Sequence, residues 1–490
     1  MKKHILSVTL VSLLITACSK SDFDPKVDEY LTDQRKEELK TNVETKANLL
    51  QVELNGIYNN NVAEQSSYDD DDSFGLKSIH MSSDLTGLDM VQASYHWFGY
   101  DYYFDMRDAT YRRTSFMWSF LYRQISAINK VLADYFTETP TEQVLYQKYA
   151  ELKSLRAIYY FYLVNLYQQS YKGNETKLGV PLMLKPTDSK LPRATVAEVY
   201  RQMEEDLSVV DDARFTITES KEDVDKAVAA AYFAKVYAHK EEWAKVAQYA
   251  QIVLNAGDFN YTSMAEVQGA KWDISNTSWL WGYDITQQTT TSWGSFYSHI
   301  DNTITQGYAG GSGAYKNMYS NLYAKIADTD VRKKLYINST LFPTIADRYG
   351  LPDYANVKYV TDQRFLSDYC FIRIEDPFFL YVEALVEQND LTTAKTTLED
   401  FMRIYRDPSY TLTATTQAAM REEVRTQRRI ELWGEGTAFF DFKRWHLGVD
   451  RNEAGSNHIF MITVPAGDKR WVYQIPQDEI EANSLIVQNE

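Results

Sequence analysis

Residues Arg425 to Trp445, RTQRRIELWGEGTAFFDFKRW, form the stretch from which the fold of this chain can be argued. Its first half predicts a helix because it contains Arg, Gln, Glu and Leu and no proline. Gly434 and Gly436 are expected to end that helix, since glycine alone adopts a positive φ without steric cost. The residues from Ala438 onward are mostly aromatic, which indicates burial of this end of the stretch.

The same stretch places charged side chains among large aromatic rings. On a helix, Arg428 lies beside Glu431, and Asp441 lies beside Arg444, because residues three apart share a face. Ionic groups among aromatic rings must pair when they are buried, since an isolated desolvated charge costs several kcal/mol. We therefore expect a buried, ion-paired structural cluster here, whereas a surface helix and turn would need no aromatic residues.

Residues 1–17 have the pattern of an export signal: a basic start, then an apolar core shorter than the roughly 20 residues that span a bilayer. Residues 14–18, LITAC, are similar to a bacterial lipobox, whose cysteine receives diacylglycerol. We therefore predict lipid on Cys18 and a solvated tether over residues 18–35. An ordinary secretory signal with an incidental cysteine is the alternative.

The composition predicts an acidic globular protein. The chain has 51 Lys and Arg against 68 Asp and Glu, a net charge of −17. Such a surface repels phosphate backbones, which argues against nucleic acid as a partner. The second cysteine, Cys370, has no partner if Cys18 is acylated, so it is expected to be a small buried side chain between two aromatic neighbours.

The sequence lacks the common catalytic and cofactor motifs. No H-E-x-x-H, C-x-x-C, G-x-S-x-G or nucleotide-binding glycine pattern occurs, and seven histidines lie without ligand spacing. We therefore predict no enzyme activity, no cofactor and no catalytic or metal-binding residue. Four adjacent acids, Asp69 to Asp72, are expected to form a solvated loop, because calcium sites alternate their ligands.

Apolar residues at helical spacing predict three helices in the first part of the chain, over Asn42–Asn60, Phe116–Tyr135 and Glu142–Gln169. Thr195 and Glu198 have the spacing of a capping box at the start of a further helix. Two later segments, residues 224–256 and 377–406, look like tetratricopeptide helix pairs. Such pairs stack into a curved solenoid, and unrelated helical hairpins are the alternative.

Two irregular segments, residues 81–111 and 272–323, hold many aromatic side chains and fit neither the helix nor the strand period. Aromatic residues in polar loops are costly to expose unless they bind something, and binding residues concentrate in loops. We predict that both segments contribute to one ligand-binding surface, although some rings are expected only to attach the loops to the helices. The candidate residues are Trp97, Tyr100, Trp279, Trp281 and Trp293, with Asp84 and Asp89 as partners for hydroxyl or amine groups.

The opening stretch resembles the C-terminal hallmark of the SusD-like (RagB) family, outer-membrane nutrient-binding lipoproteins. The matching positions are Arg428, Glu431, Leu432, Glu435, Gly436, Asp441, Arg444 and Trp445. The chain departs from the family at Ala438, where arginine is usual, and at Phe442, where leucine is usual. Residues 118–129, 154–161 and 475–489 are similar to further family segments in the same order.

The resemblance implies a mainly α fold: a tetratricopeptide-like helical repeat scaffold with long irregular loop insertions that form the ligand face. It implies an N-terminal SusD-like region over residues 36–220 and a C-terminal SusD/RagB region over residues 221–490, together one compact unit. It also implies a lipid-anchored protein of the outer membrane, facing the cell surface. There it would capture an oligosaccharide or a peptide and deliver it to a SusC-like TonB-dependent transporter.

Two other functions remain open at this stage. A helical-repeat scaffold that docks proteins predicts an apolar concave groove, and a surface glycosidase predicts product release, since paired carboxylates cannot be identified from sequence. Aromatic residues in polar loops favour nutrient capture, because sugar rings stack on them and sugar hydroxyls bond to Asp, Asn and Gln. The choice between glycan and peptide is left open.

Overall fold

The computed structural model describes residues 32–64, 70–269, 272–361 and 364–489. The predicted signal peptide, Cys18 and the tether up to residue 31 lie outside the described residues. Contacts divide the chain into residues 1–49 and residues 50–490. The boundary expected at residue 220 falls inside the second of these units. In the described part of the chain, no helix is long and apolar enough to cross a membrane.

The first unit contains, among its described residues, α1 (Asp33–Leu39) and the start of α2 (Val43–Asn60). α1 begins after Thr32, whose hydroxyl oxygen accepts the N–H of Arg35 at 3.2 Å. The tether predicted up to residue 35 is therefore corrected at its end, because helix α1 already occupies residues 33–35. α2 confirms the helix predicted over Asn42–Asn60.

The N-terminal half of the second unit is built from helices joined by short strands. Its elements are α3 (Leu76–Thr86), β1 (Met90–Gln92), α4 (Gly99–Tyr102), α5 (Arg112–Tyr135), α6 (Gln143–Tyr167), β2 (Leu178–Pro181), β3 (Arg193–Thr195) and α7 (Val196–Leu207). α6 packs between α5 and α7. The helices predicted over Phe116–Tyr135 and Glu142–Gln169 are confirmed.

The C-terminal half continues with α8 (Lys226–Lys240), α9 (Trp243–Leu254), α10 (Met264–Gln268), β4 (Trp279–Tyr283), α11 (Phe296–Ile300), α12 (Tyr308–Gly311), β5 (Lys316–Met318), α13 (Ser320–Tyr323) and α14 (Pro343–Tyr349). It ends with β6 (Tyr369–Arg373), α15 (Glu375–Glu387), α16 (Leu391–Tyr405), α17 (Gln417–Glu431), α18 (Ala438–Arg444), β7 (Val449–Asp450), β8 (Thr463–Val464) and α19 (Gln477–Ala482). The antiparallel pairs are β1–β5, β2–β3, β4–β6 and β7–β8.

The repeat scaffold is formed by α8, α9, α15, α16 and α17. α15 lies at its centre and contacts the other four helices. Small side chains on α8, among them Ala230 and Ala234, are fully buried and permit close approach of α9. Aromatic and aliphatic residues of α15 and α16, such as Phe379 and Phe401, fill the contact between that pair. The two predicted helix pairs and the mainly α, tetratricopeptide-like fold are confirmed.

Thr195 caps α7 as its spacing predicts. Its hydroxyl oxygen accepts the N–H of Glu198 at 3.2 Å, and the Glu198 carboxylate accepts the N–H of Thr195 at 2.8 Å. These two bonds satisfy donors that the first helical turn leaves without intrahelical partners.

The stretch from Arg425 to Trp445 is a buried ionic cluster, as expected. Asp441 accepts from Arg428 at 2.7 Å and from Arg444 at 2.8 Å, which confirms the pairing of Asp441 with Arg444. Arg428 and Glu431, by contrast, do not pair with each other. Arg428 also binds Asp376 on α15 at 2.8 Å, so the charges of α17 connect it to other elements of the fold.

Two glycines and one alanine allow this stretch to pack tightly. α17 ends at Glu431, and Gly434 and Gly436 lie in the turn after it with φ values of 80° and 82°. A Cβ on Gly436 would lie 2.5 Å from Cβ of His80 on α3. Ala438 lies against Gly87, where an added Cβ would come within 2.7 Å of Cβ of Ala438. The ionic cluster therefore closes without the arginine that the family usually carries at position 438.

The two segments predicted to be irregular loops contain more regular structure than their sequence suggests. The first includes the end of α3, β1 and α4, and the second includes β4, β5 and three short helices. Every residue of α3 is buried, so its sequence shows no one-sided apolar pattern. Strands β1 and β4 pair with strands distant in sequence, which local patterning does not reveal.

Candidate functional site

The two aromatic segments meet at the surface, where four of their rings form a group with Phe365. The edge of Trp97 meets Tyr308 with a centroid separation of 6.3 Å, and Trp293 lies 5.7 Å from the same tyrosine. His96 and Phe365 flank the group at 5.0 Å from Tyr308 and 6.3 Å from Trp293. We call these five residues the aromatic platform. Its most exposed ring is Trp293, at 49%.

Tyr308 is held in place from beneath. Its hydroxyl donates to the carboxylate of Asp71, and the buried imidazole of His299 stacks on its ring at 5.0 Å. Nε2 of His299 donates to the carbonyl oxygen of Asp71 at 2.8 Å. Burial lowers the pKa of His299 well below its usual range, so the imidazole stays neutral. The ring at the centre of the platform therefore has a fixed orientation.

The backbone around Trp293 turns the indole towards solvent. Ser292 has a φ of 51°, a left-handed conformation that costs a non-glycine residue free energy and is found preferentially at functional sites. The Thr291 hydroxyl donates to the carbonyl oxygen of Gly294 at 2.6 Å and closes this turn. Gly294 packs directly on Asp71, where an added Cβ would lie 3.2 Å from Cα of Asp71.

The acidic loop beside the platform is only partly solvated. Arg112 binds Asp70 at 2.6 Å and Asp72 at 2.8 Å, and Asp72 is fully buried. The prediction of a solvated loop is therefore corrected at Asp72, because α5 supplies arginines that compensate its charge. Asp69 lies outside the described residues. Within the described ranges no cluster of His, Cys, Asp and Glu is arranged to hold a metal ion.

Three of the predicted ligand-binding rings are buried, which corrects their assignment. Trp281 has no exposed surface; it packs on Phe371 at 4.6 Å and donates its indole N–H to the Glu222 carbonyl oxygen at 3.2 Å. Trp279, on the same strand, and Tyr100 on α4 are also buried. A ring without an accessible face cannot stack on a ligand, so these three residues belong to the core.

The assignment of the two predicted polar partners is also corrected, because both carboxylates are buried and bind residues of the stretch from Arg425 to Trp445. Asp84 accepts the N–H groups of Gly436 at 2.8 Å and Ala438 at 3.4 Å. Asp89 binds the Arg429 guanidinium at 2.5 Å. Of the seven predicted binding residues, only Trp97 and Trp293 lie at the accessible surface formed by the two segments.

We expect Asp84→Asn to change how stability depends on pH. Burial raises the pKa of Asp84 from 3.8 to about 7. The native state therefore holds a proton that the unfolded chain has released at intermediate pH. This group's contribution to stability is complete below the unfolded pKa and is lost as the pH rises through about 7. Asparagine has no such proton.

Urea unfolding of the wild type and Asp84→Asn across this pH window measures the effect. The stability of the wild type relative to the variant should fall as the pH rises. The exposed Asp108→Asn serves as the control and should give a constant difference. A constant difference for Asp84→Asn as well would contradict the assignment.

Tyr308, His96 and Phe365 were not predicted as site residues. His96 and Tyr308 lie in the two aromatic segments, and Phe365 lies outside both. Nothing in the local sequence distinguishes these three rings from the many others. Residues 71, 97, 293 and 308 come together only because α11 and α12 pack against the acidic loop. No local sequence pattern indicates this.

Two family models match this chain. Residues 249–490 match the model described as the SusD family, and residues 29–238 match a model described as starch-binding associating with outer membrane. Together they cover most of the chain. No curated protein sequence matches it.

Solved structures share the fold at low sequence identity. A SusD-like carbohydrate binding protein from Bacteroides vulgatus is 20% identical, with a TM-score of 0.77 over 90% of this chain and 97% of its own. A SusD superfamily protein from Bacteroides thetaiotaomicron is 22% identical, with a TM-score of 0.77 over 91% and 99%. Surface glycan-binding protein A from Bacteroides fluxus is 18% identical, with a TM-score of 0.69 over 90% and 98%.

Proposed function

The chain belongs to the SusD family, and on that premise we propose that its aromatic platform captures an oligosaccharide at the outer membrane. The family models and the solved relatives support a carbohydrate ligand, since their descriptions name starch, carbohydrate and glycan binding. The observation that carries the proposal is the indole of Trp293, exposed beside Trp97 and Tyr308 where two distant segments meet.

The chemistry of the platform suits a sugar. Pyranose rings present C–H groups that pack on an aromatic face, and their hydroxyls need polar partners at the edge of that face. Here the Asp71 carboxylate lies at the Tyr308 hydroxyl, and Thr291 and the exposed Ser292 carry hydroxyls next to Trp293 along the chain. Asp71 and His299 hold Tyr308, and the closed turn from Thr291 to Gly294 holds the backbone of Trp293. Little conformational entropy is therefore lost when a ligand binds.

We further propose that the protein is anchored by lipid on Cys18, faces the cell surface and passes its ligand to a SusC-like TonB-dependent transporter. One of the two family models supports the location, since its description includes association with the outer membrane. The transporter is the route for an oligosaccharide that is too polar to cross the bilayer unaided.

A binding screen tests the carbohydrate assignment. The purified chain is titrated calorimetrically with oligosaccharides of starch, xylan, arabinan and levan, and with peptides of matched length. We expect one glycan class to bind with micromolar affinity, about −8 kcal/mol, and the peptides to give no heat. Binding of peptides alone, or release of shortened sugar products, would refute capture of an oligosaccharide by a non-enzymatic protein.

The anchor and the partner are tested in the native membrane. Cys18→Ala should fold but leave the membrane fraction of cells that lack the transporter. Mild-detergent purification through a C-terminal tag should recover a large outer-membrane barrel with the wild-type protein. Recovery of only periplasmic or cytosolic proteins would contradict the delivery role.

A further inference from the structure

A second group of rings begins at Tyr95, which directly precedes His96 of the aromatic platform. Tyr95, which is 57% exposed, meets Tyr103 edge-on at 5.3 Å. Tyr103 in turn packs against Phe460 at 4.1 Å. We call these three residues the flanking rings. None of them belongs to the platform. Tyr95 is the exposed ring of the group, and Tyr103 and Phe460 are half-buried beside it. Contiguous apolar surface that reaches solvent in this way is a feature of interaction sites.

The flanking rings rest on a buried polar framework. Beneath them, the Tyr102 hydroxyl donates to Nδ1 of His458 at 2.7 Å, and Nε2 of His458 donates to the Leu88 carbonyl oxygen at 3.0 Å. Burial, reinforced by Arg451, lowers the pKa of His458 to about 3, so the imidazole is neutral and keeps this tautomer. The segments that carry Tyr103 and Phe460 are thus fixed to each other through Tyr102 and His458.

Arg451 completes this framework. Its guanidinium lies over the Tyr102 ring at 4.1 Å and donates to the Tyr102 carbonyl oxygen. It also donates to the carbonyl oxygens of Leu85 and Gly87, both at 3.0 Å. Because this buried arginine donates to three backbone carbonyl oxygens, it fixes the backbone at Leu85, Gly87 and Tyr102 relative to its own segment. The surface above it is therefore organised before any ligand arrives, which reduces the entropic cost of binding.

The loop that joins the two groups of rings is strained. Phe98, Phe104 and Met106 have φ values of 63°, 56° and 53°. Left-handed backbone at bulky non-glycine residues costs on the order of 1–3 kcal/mol each and persists where the surrounding structure enforces it, often at ligand-binding sites. Phe98 lies between Trp97 of the platform and Tyr103 of the flanking rings, so the backbone between these two rings is held in an uncommon conformation.

We propose that the flanking rings form a second sugar-binding subsite, which continues the aromatic platform and holds further units of a longer oligosaccharide. This inference rests on the proposed function. Continuity supports it, because Cα of Tyr95 and Cα of Trp97 are at most about 7.6 Å apart, two steps along the chain. Burial raises the pKa of the Tyr95 hydroxyl, and the nearby Asp105 carboxylate raises it further. The exposed Asp105 thus supplies an acceptor for sugar hydroxyls beside Tyr95.

A protein partner is the competing occupant. Ile459 and Met461 beside Phe460 are about half exposed, and aliphatic side chains are common in protein interfaces. The sugar is favoured because Tyr95 directly precedes His96 of the platform, and because the group carries two tyrosine hydroxyls with the Asp105 carboxylate close to Tyr95. The experiment distinguishes the two occupants.

Calorimetric titration with a trisaccharide and a heptasaccharide of the same glycan tests the subsite. Maltotriose and maltoheptaose are used first, followed by the matched pair of any other glycan that binds in the screen. The wild type should bind the heptasaccharide about tenfold or more tightly than the trisaccharide, since one stacked ring typically contributes that much. Tyr95→Ala and Tyr95→Ala/Phe460→Ala should lose this preference and keep trisaccharide affinity.

Tyr349→Ala, on α14 and outside both groups of rings, is the control and should retain the preference for the longer sugar. Tyr95→Ala keeps the test valid if the double variant is unstable, because that ring is mostly exposed. Equal affinity of the wild type for both lengths, or an unchanged preference in Tyr95→Ala, would overturn the subsite. Loss of barrel co-purification with an unchanged preference would assign the rings to a protein. If the wild type binds no glycan of the screen at either length, the proposed function itself fails.

Discussion

Replacing Glu431 by alanine is expected to lower the free energy of unfolding by about 3–5 kcal/mol, because it removes the shared partner of three buried arginines. Glu431 accepts from Arg373 at 2.9 Å, from Arg332 at 3.1 Å and twice from Arg406 at 2.7 Å. Arg373 ends β6, Arg332 lies between α13 and α14, and Arg406 directly follows α16. One carboxylate therefore joins distant parts of the second unit. Chemical denaturation measures the loss.

Glu422→Ala is the matched control. Glu422 lies on the same helix, is largely exposed, and faces Arg425 at 3.5 Å. An exposed pair of this kind contributes at most about 0.5 kcal/mol, since water and salt screen it. If Glu431→Ala were no more destabilising than Glu422→Ala, the buried ionic cluster would not be what holds the C-terminal half together.

The same cluster should make the fold sensitive to acid. Burial alone would raise the pKa of Glu431, but the Arg406 and Arg373 guanidinium groups hold it well below its usual range. Burial also raises the pKa of Asp376, but Lys235 and Arg428 outweigh it and lower this pKa to about 2. In mild acid the unfolded chain therefore binds more protons than the native state. The stabilisation is present above the unfolded pKa values and is lost as the pH falls through the folded ones.

Trp281→Ala is expected to cost about 3–5 kcal/mol of stability, because it leaves a cavity where a large side chain has no exposed surface. The contacts with Phe371 and the bond to the Glu222 carbonyl oxygen are lost together. Glycan affinity, measured per folded molecule at low temperature, should stay within about twofold of the wild type, since Trp281 does not reach the surface.

Trp293→Ala should show the opposite pattern. Half of this indole is exposed, so its removal should change the unfolding free energy by no more than about 0.5 kcal/mol. Affinity should fall by about 1–3 kcal/mol, the range for a ring at the centre of a binding surface. Equal effects of the two substitutions on both stability and affinity would show that burial does not separate core from binding rings.

The repeat scaffold was predictable from sequence because its signals are local. Helical spacing of apolar residues identified α2, α5 and α6, and the capping box of Thr195 identified the start of α7. Gly434 and Gly436 indicated the turn after α17, because a positive φ is a property of one residue. Each of these features depends on contacts within a few positions along the chain.

The candidate site was harder to predict because its signals are not local. Trp279 and Trp281 lie in polar sequence that resembles a loop, yet β4 pairs with β6 and buries both rings. Asp89 resembles a polar loop residue, but its partner Arg429 lies far along the chain. Sequence identified which segments contain the platform, and the packing of distant elements decided which rings reach solvent.

The most direct test of the account compares glycan affinity in the wild type and in Trp97→Ala/Trp293→Ala, with thermal unfolding recorded on the same samples. Both rings lie at the surface where the two segments meet. We expect affinity for the glycan found in the screen to fall by about 100-fold or more, with a melting temperature within a few degrees of the wild type. Unchanged affinity in the folded double variant would contradict the account.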